Sequence, residues 1–249
     1  MSQIKNYHRP KSTTETLHLL NRSDINTVLI AGGTYLTPNM SSEVEELVDL
    51  QSVGLGSIDR HDGQIGIGAM TRLQSLVDHI DLPTLVREMA QREGPNTMRS
   101  QATIGGVIVG GDWESELLAA LLVYEATVTL EGTDETRSMS LTDFLADSAS
   151  ALKGQLLTQV SFPAHGKTAA ERVARTPADK PIVAALVRLE PETQYIHVAL
   201  CGVADTPILV SQEELVTLNP PADFRGSTEY RKEMAQVLTT RAISSLKKK

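Results

Sequence analysis

One cysteine stands among the 249 residues, and 23 lysines and arginines face 31 acidic residues. Each shortage excludes something. An iron–sulfur cluster needs about four thiolates, so this chain alone holds none; Cys201, inside an alternating apolar strand, reads as a small buried residue. A net charge of −8 argues against a nucleic-acid or anionic-membrane binder, because those partners require a basic face. The terminal Lys247-Lys248-Lys249 run reads as a solvated helix end. No stretch approaches the roughly 20 apolar residues that span a bilayer, and the polar start Met1-Ser2-Gln3-Ile4-Lys5 carries no signal-peptide core. The expectation is a cytoplasmic protein with neither nucleic-acid nor membrane partner.

Catalytic motifs are missing as well. The six histidines show no metal-ligand spacing. Ser115 has no G-x-S-x-G turn around it and no histidine placed by the sequence to serve it, which argues against a hydrolase. Neither G-x-G-x-x-G nor G-x-x-x-x-G-K-[ST] occurs at the glycine pairs. No internal repeat or low-complexity segment is present.

What the chain does have is two small-residue segments of similar character. Val28-Leu29-Ile30-Ala31-Gly32-Gly33-Thr34-Tyr35-Leu36-Thr37-Pro38 is a β-branched run that stops at a glycine pair, and Arg99-Ser100-Gln101-Ala102-Thr103-Ile104-Gly105-Gly106-Val107 repeats the arrangement downstream. Bare glycines let backbone N–H groups approach an anion such as a pyrophosphate. Taken singly, each segment is equally a tight turn leaving a strand. Together the two can hold one long dinucleotide between them.

In chain order, Ser12 and Glu15 signal a capped helix, and Glu46 to Leu50 a short strand before a turn at Gly54 and Gly56. Ile65, Ile67 and Ala69 alternate as a strand, with Thr71 placed to cap a helix through Leu73, Leu76, Val77 and Ile80. Pro83 opens a helix with Leu85, Val86, Met89 and Ala90. The second glycine segment reads as a loop, followed by a polar loop and a helix from Leu117 to Ala126. Val183 to Leu189 and Tyr195 to Val203 read as a hairpin, Ile208 to Val210 as a third strand, and Ser227 as the start of a long helix. The expected domains are 1–55, 56–163 and 168–249.

In order and spacing, Tyr7-His8-Arg9-Pro10, Ala31-Gly32-Gly33-Thr34, Leu47-Val48-Asp49-Leu50, Ile65 to Thr71, Met98-Arg99, Ala102 to Gly106 and Gly202-Val203-Ala204 resemble the FAD-binding middle subunit of the molybdenum hydroxylases, the family that includes xanthine dehydrogenase and carbon monoxide dehydrogenase. The resemblance covers nearly the whole chain. It implies an α+β protein: a two-subdomain FAD-binding (PCMH-type) domain, then a small α+β domain of strands with a packing helix. It also implies FAD as cofactor, with iron–sulfur small and molybdopterin large subunits as partners, and an electron-transfer role toward NAD, quinone or oxygen. Carried over by position, Ala31, Gly32, Gly33, Thr34, Tyr35, Leu36, Ala102, Thr103, Ile104, Gly105 and Gly106 clasp the pyrophosphate and ribityl chain. Val107, Ser115, Glu116 and Arg172 fall on the isoalloxazine side. Three of these depart from the family: Val107 stands where Asn or Asp is usual, Glu116 for Asp, and Arg172 for Lys. Trp113 lies in the same stretch, as a flavin shield or as a hydrophobic plug. Two other readings use the same fold, a non-flavin assembly subunit and a stand-alone flavin oxidoreductase.

Overall fold

The computed structural model describes residues 4–211 and 213–246, so the expectations for Met1 to Gln3 and for Lys247 to Lys249 lie outside the described residues. Strand β1 (Asn6–His8) leads into α1 (Thr13–Leu20). The Ser12 hydroxyl accepts from the Glu15 N–H at 3.1 Å, and the Glu15 carboxylate accepts from the Lys11 N–H at 2.9 Å. The expected capping box therefore forms with its return bond one residue upstream. β2 (Thr27–Ile30), α2 (Leu36–Asn39) and β3 (Glu46–Asp49) complete a parallel sheet of order β1-β3-β2. The central strand buries two acids, each matched by its neighbours. Glu46 takes His8 at 2.8 Å and Thr27 at 3.1 Å, and Asp49 takes Arg9 at 2.7 Å.

The second sheet is antiparallel, in the order β4-β5-β8-β6-β7. Its first hairpin joins β4 (Ile58–His61) to β5 (Gln64–Gly68) through Asp62 and Gly63, both at positive φ (48° and 78°), as a two-residue hairpin turn requires. β4 carries no apolar alternation in the sequence, its residues being mostly polar and exposed. Five helices follow: α3 (Leu73–Asp78), α4 (Thr84–Arg92), α5 (Asn96–Arg99), α6 (Ile104–Gly110) and α7 (Glu116–Val123). Thr71 does not cap α3. Arg72 holds that position, and the Thr71 hydroxyl donates to the Ser57 carbonyl at 3.1 Å, tying the helix entry to the preceding turn. β6 (Thr127–Glu131), β7 (Thr136–Ser140), α8 (Leu141–Ala146), α9 (Ser148–Ala151) and β8 (Leu156–Pro163) close this part.

β9 (Lys167–Val173), β10 (Val183–Leu189), β11 (Ile196–Cys201) and β12 (Ile208–Leu209) form an antiparallel meander, and α10 (Thr228–Leu246) packs on it. Both faces of this sheet are covered. Ala184, Leu186, Ala199 and Cys201 point into the core that holds α7, while Val183, Ala185, Val187, Val198 and Leu200 point toward α10, as the two-residue strand period dictates. α7 is consequently buried all round from Glu116 to Val123, and one apolar core runs from the second sheet into the third. Burial pushes the Cys201 thiol well up, in keeping with an inert packing residue. Among the described residues, no helix is long and apolar enough to cross a membrane.

Buried charge fixes the third sheet's outer contacts. Arg231 of α10 is fully buried; it donates to the Gly202 carbonyl at 2.9 Å, pairs with Asp223 at 2.7 Å and lies 4.8 Å from the Trp113 ring centre. Burial would raise the Asp223 carboxyl, but the hydrogen bonds from Arg231, the Arg225 N–H and the Arg225 guanidinium hold it far below the usual carboxylate range. On the opposite side, buried Arg188 donates to the Val123 carbonyl at 2.6 Å and to Glu125 at 2.9 Å. His197 lies 3.3 Å from the same Glu125 oxygen and 4.0 Å from Glu190. This cluster joins the end of α7 to the third sheet and brings His197 to Glu190 of its own hairpin and to Glu125, remote in sequence.

Candidate functional site

The two glycine segments meet. After β2 the backbone turns at Gly33 (φ +70°), and a Cβ on Gly32 would sit 2.1 Å from the Gln101 carbonyl oxygen and 3.0 Å from the Ala102 Cα. Gly105 is equally tight against Ala69, whose carbonyl oxygen would lie 2.7 Å from an added Cβ. These two glycines are explained by backbone-to-backbone packing alone.

Gly106 and Gly110 are different. An added Cβ would meet only the Thr103 hydroxyl at 3.2 Å in the first case and the Tyr35 ring at 3.8 Å in the second. Both lie on α6, which the sequence suggested was a loop. Thr103 caps that helix, its Oγ1 accepting from the Gly106 N–H at 3.1 Å, and Gly111 ends it in the left-handed conformation (φ +57°). Alanine at a helix interior is favoured over glycine by roughly 0.5–1 kcal/mol; at Gly106 no backbone opposes it, and the Thr103 hydroxyl alone would have to give by a few tenths of an ångström.

Both glycines face a cavity of about 470 Å³, within the size range of cofactor and small-molecule sites. Of the fifteen residues expected to bind, its wall brings together Ala31, Gly32, Gly33, Thr34, Tyr35, Leu36, Ala102, Thr103, Gly105, Gly106 and Val107. A recess beside it shares Ala31, Gly32, Met70 and Thr103 and adds Gln51, Arg72 and Gln101. Most of the main cavity's remaining wall is apolar, including Leu29, Leu50, Met98, Leu152 and Leu157.

Four expected residues are not on that wall. Ile104 is fully buried in the core. Ser115 caps α7, accepting from the Leu118 N–H at 3.1 Å while donating to Glu93 at 2.6 Å. Glu116, 3 % exposed, pairs with Arg92 at 2.9 Å and with Arg172 at 3.3 Å. The structure therefore gathers Ser115, Glu116 and Arg172 at the buried head of α7, behind the cavity. Trp113 is half-buried against Arg231 rather than on the cavity wall.

Three charged residues that sequence reasoning passed over do line the cavity: Glu93, Asp112 and Lys180. Glu93 ends α4, Asp112 follows α6, and Lys180 lies in the β9–β10 connection. Burial pushes the Glu93 carboxyl up, against the opposing pull of Lys180, the Ser115 hydroxyl and the Leu117 N–H. Burial alone would lower the Lys180 ammonium, but Glu93 and the Asp112 ion pair outweigh it and raise it. No spacing rule links these positions: α4 packs on α7 and sets Glu93 at the head of that helix, and the third sheet's packing across α7 brings in Lys180.

The arrangement suits a long anionic ligand with a flat apolar portion. Bare glycine backbone admits close approach, the Thr103 hydroxyl still has a proton to donate after accepting its cap, and the apolar wall excludes water.

Comparison with known proteins agrees. The family described as FAD binding domain in molybdopterin dehydrogenase matches residues 2–165. The glyceraldehyde dehydrogenase medium chain of Sulfolobus acidocaldarius is 28 % identical over 96 % of this chain and 97 % of its own. The carbon monoxide dehydrogenase medium chain of Afipia carboxidovorans is 29 % identical over 97 % and 96 %. A solved structure of reconstituted CO dehydrogenase from Oligotropha carboxidovorans superimposes with a TM-score of 0.87 at 27 % identity, covering 100 % of this chain and 99 % of that one.

Proposed function

This chain belongs to the family of FAD-binding domains of molybdopterin dehydrogenases, and from that premise we propose that it is the electron-transfer flavoprotein subunit of a molybdenum hydroxylase complex. FAD is its cofactor, and the chain is an oxidoreductase subunit. The reading rests above all on one observation: Gly106 lies bare on a helix and faces the cavity, and a Cβ there would meet one side-chain hydroxyl and no backbone.

When bound, FAD supplies an electron carrier that exchanges with one-electron and two-electron partners alike. The chain's own residues would position it. Ala31 to Thr34, Ala102, Thr103, Gly105 and Gly106 would hold the pyrophosphate through backbone and hydroxyl groups, and Tyr35, Leu36 and Val107 line the cavity beside them. Val107 packs partly into the core and contributes shape where a polar residue would contribute a hydrogen bond. Ser115, Glu116 and Arg172 act on the site from behind, by fixing the α7 head and the β9–β10 connection.

Electron relay requires no acid–base side chain from this subunit. With one cysteine, which is buried, the chain falls short of the roughly four thiolates of an iron–sulfur cluster; in this reading the clusters sit on a small subunit, substrate chemistry on a molybdopterin large subunit, and the complex is cytoplasmic. NAD, a quinone or oxygen takes the electrons. Relatives that are themselves medium chains, matched over nearly their whole length, support a multi-subunit assembly.

Isolation of the tagged chain from its native cells tests this. Iron and molybdenum should accompany FAD in fixed ratio. FAD-loaded chain that purifies alone, free of both metals, would instead support a stand-alone flavin oxidoreductase.

A further inference from the structure

We propose that Lys180, paired with Asp112, sets the redox potential of the bound flavin, standing at the isoalloxazine side where the resemblance placed Arg172. The proposal rests on the reading of the cavity as the FAD site.

Arg172 is committed elsewhere. Its Nη1 lies 3.3 Å from Glu116, which is itself 3 % exposed, and its Nη2 donates to the Asp179 carbonyl. It does not line the cavity. What it does is pin the connection that carries Lys180, with help from Arg175, 3.6 Å from the Asp179 carboxylate.

Lys180 is the one lysine or arginine among the described residues of the cavity wall. Its side chain is 34 % exposed and that of Asp112 is 37 % exposed, so the pair is partly shielded from water and acts at reduced screening. Glu93 lies within electrostatic reach of both. The cavity thus has one charged end, with Lys180 as its sole positive group beside two carboxyls, while most of the remaining wall is apolar. Electrons arriving on a ring at that end add negative charge. A neighbouring ammonium favours them, and a neighbouring carboxylate opposes them. Arg72, the cation in the adjoining recess, sits on the other side of the glycine segments and suits the other arm of the dinucleotide.

Opposite charge deletions should therefore act in opposite directions. Equilibration of the FAD-loaded chain with a redox dye of known potential reads the effect without enzyme turnover. Lys180→Met should disfavour reduction at least tenfold, about 30 mV downward for two electrons, and Asp112→Asn should favour it by a similar factor. Lys180→Arg, which keeps the charge, should stay within about threefold of wild type. Should Lys180→Met fail to retain FAD, the Asp112→Asn and Lys180→Arg proteins still decide the matter. Shifts of the same sign in Lys180→Met and Asp112→Asn, or no shift from Asp112→Asn, would overturn the proposal while the FAD site stands. Wild-type protein that takes up no FAD would overturn the site reading itself.

Discussion

Gly106→Ala is expected to lower FAD affinity about 100-fold while moving the thermal unfolding midpoint of the FAD-free chain by only a few degrees, because the helix-propensity gain and the displacement of the Thr103 hydroxyl oppose each other. The two halves of this expectation have separate causes. Within the chain, an alanine methyl at this position meets only the Thr103 hydroxyl, at 3.2 Å, and removes a glycine from a helix, where it costs roughly 0.5–1 kcal/mol. Toward the cavity, the same methyl occupies the space through which backbone would approach a pyrophosphate. Flavin-fluorescence titration and thermal unfolding measure the two effects side by side. Gly32→Ala is the contrasting case. Its methyl would lie 2.1 Å from the Gln101 carbonyl oxygen, so stability and binding should fall together. Normal FAD affinity in Gly106→Ala would show that this glycine is not part of the cofactor cradle.

Glu116→Ala should destabilise the fold by about 3 kcal/mol, the lower part of the range for breaking a buried ion pair from one side. The carboxylate lies between Arg92 at 2.9 Å and Arg172 at 3.3 Å. Its removal strands two guanidinium groups and takes a negative charge from the first turn of α7. Arg92 is 36 % exposed and recovers part of its hydration, which sets the estimate at the lower end. Denaturant unfolding gives the loss directly, and FAD affinity of the folded protein should stay within about threefold of wild type. Unchanged stability with lost FAD affinity would instead place Glu116 at the cofactor, as the family resemblance implies.

Local patterns carried much of the fold. The apolar run Val183 to Leu189, the capped helix after Ser12 and the strand ending at Ile30 all rest on neighbours in sequence, and each is present. The errors have identifiable physical sources. α6 read as a loop because its glycines lower helix propensity, while the Thr103 cap and burial of Ile104 and Ile108 decide for the helix. The hairpin strand β4 is polar and lacked an apolar alternation, although Asp62-Gly63 was a usable turn signal.

Eleven of the fifteen expected binding residues reach the cavity wall because they belong to two continuous segments that meet. The charged end of the cavity was illegible for the opposite reason. Lys180 and Asp112 are 68 residues apart, and their ion pair exists only because the third sheet packs across α7. The same holds for His197 and Glu125, joined where β11 passes the end of α7.

The visible absorption spectrum of the purified chain with added FAD, followed by release and quantitation of bound flavin, tests the central claim most directly. The account predicts oxidised-flavin bands at about one FAD per chain, and about tenfold less in Gly106→Ala when free FAD is about ten times the wild-type Kd. A chain that stays colourless at saturating FAD, alone and together with its partner subunits, would contradict it.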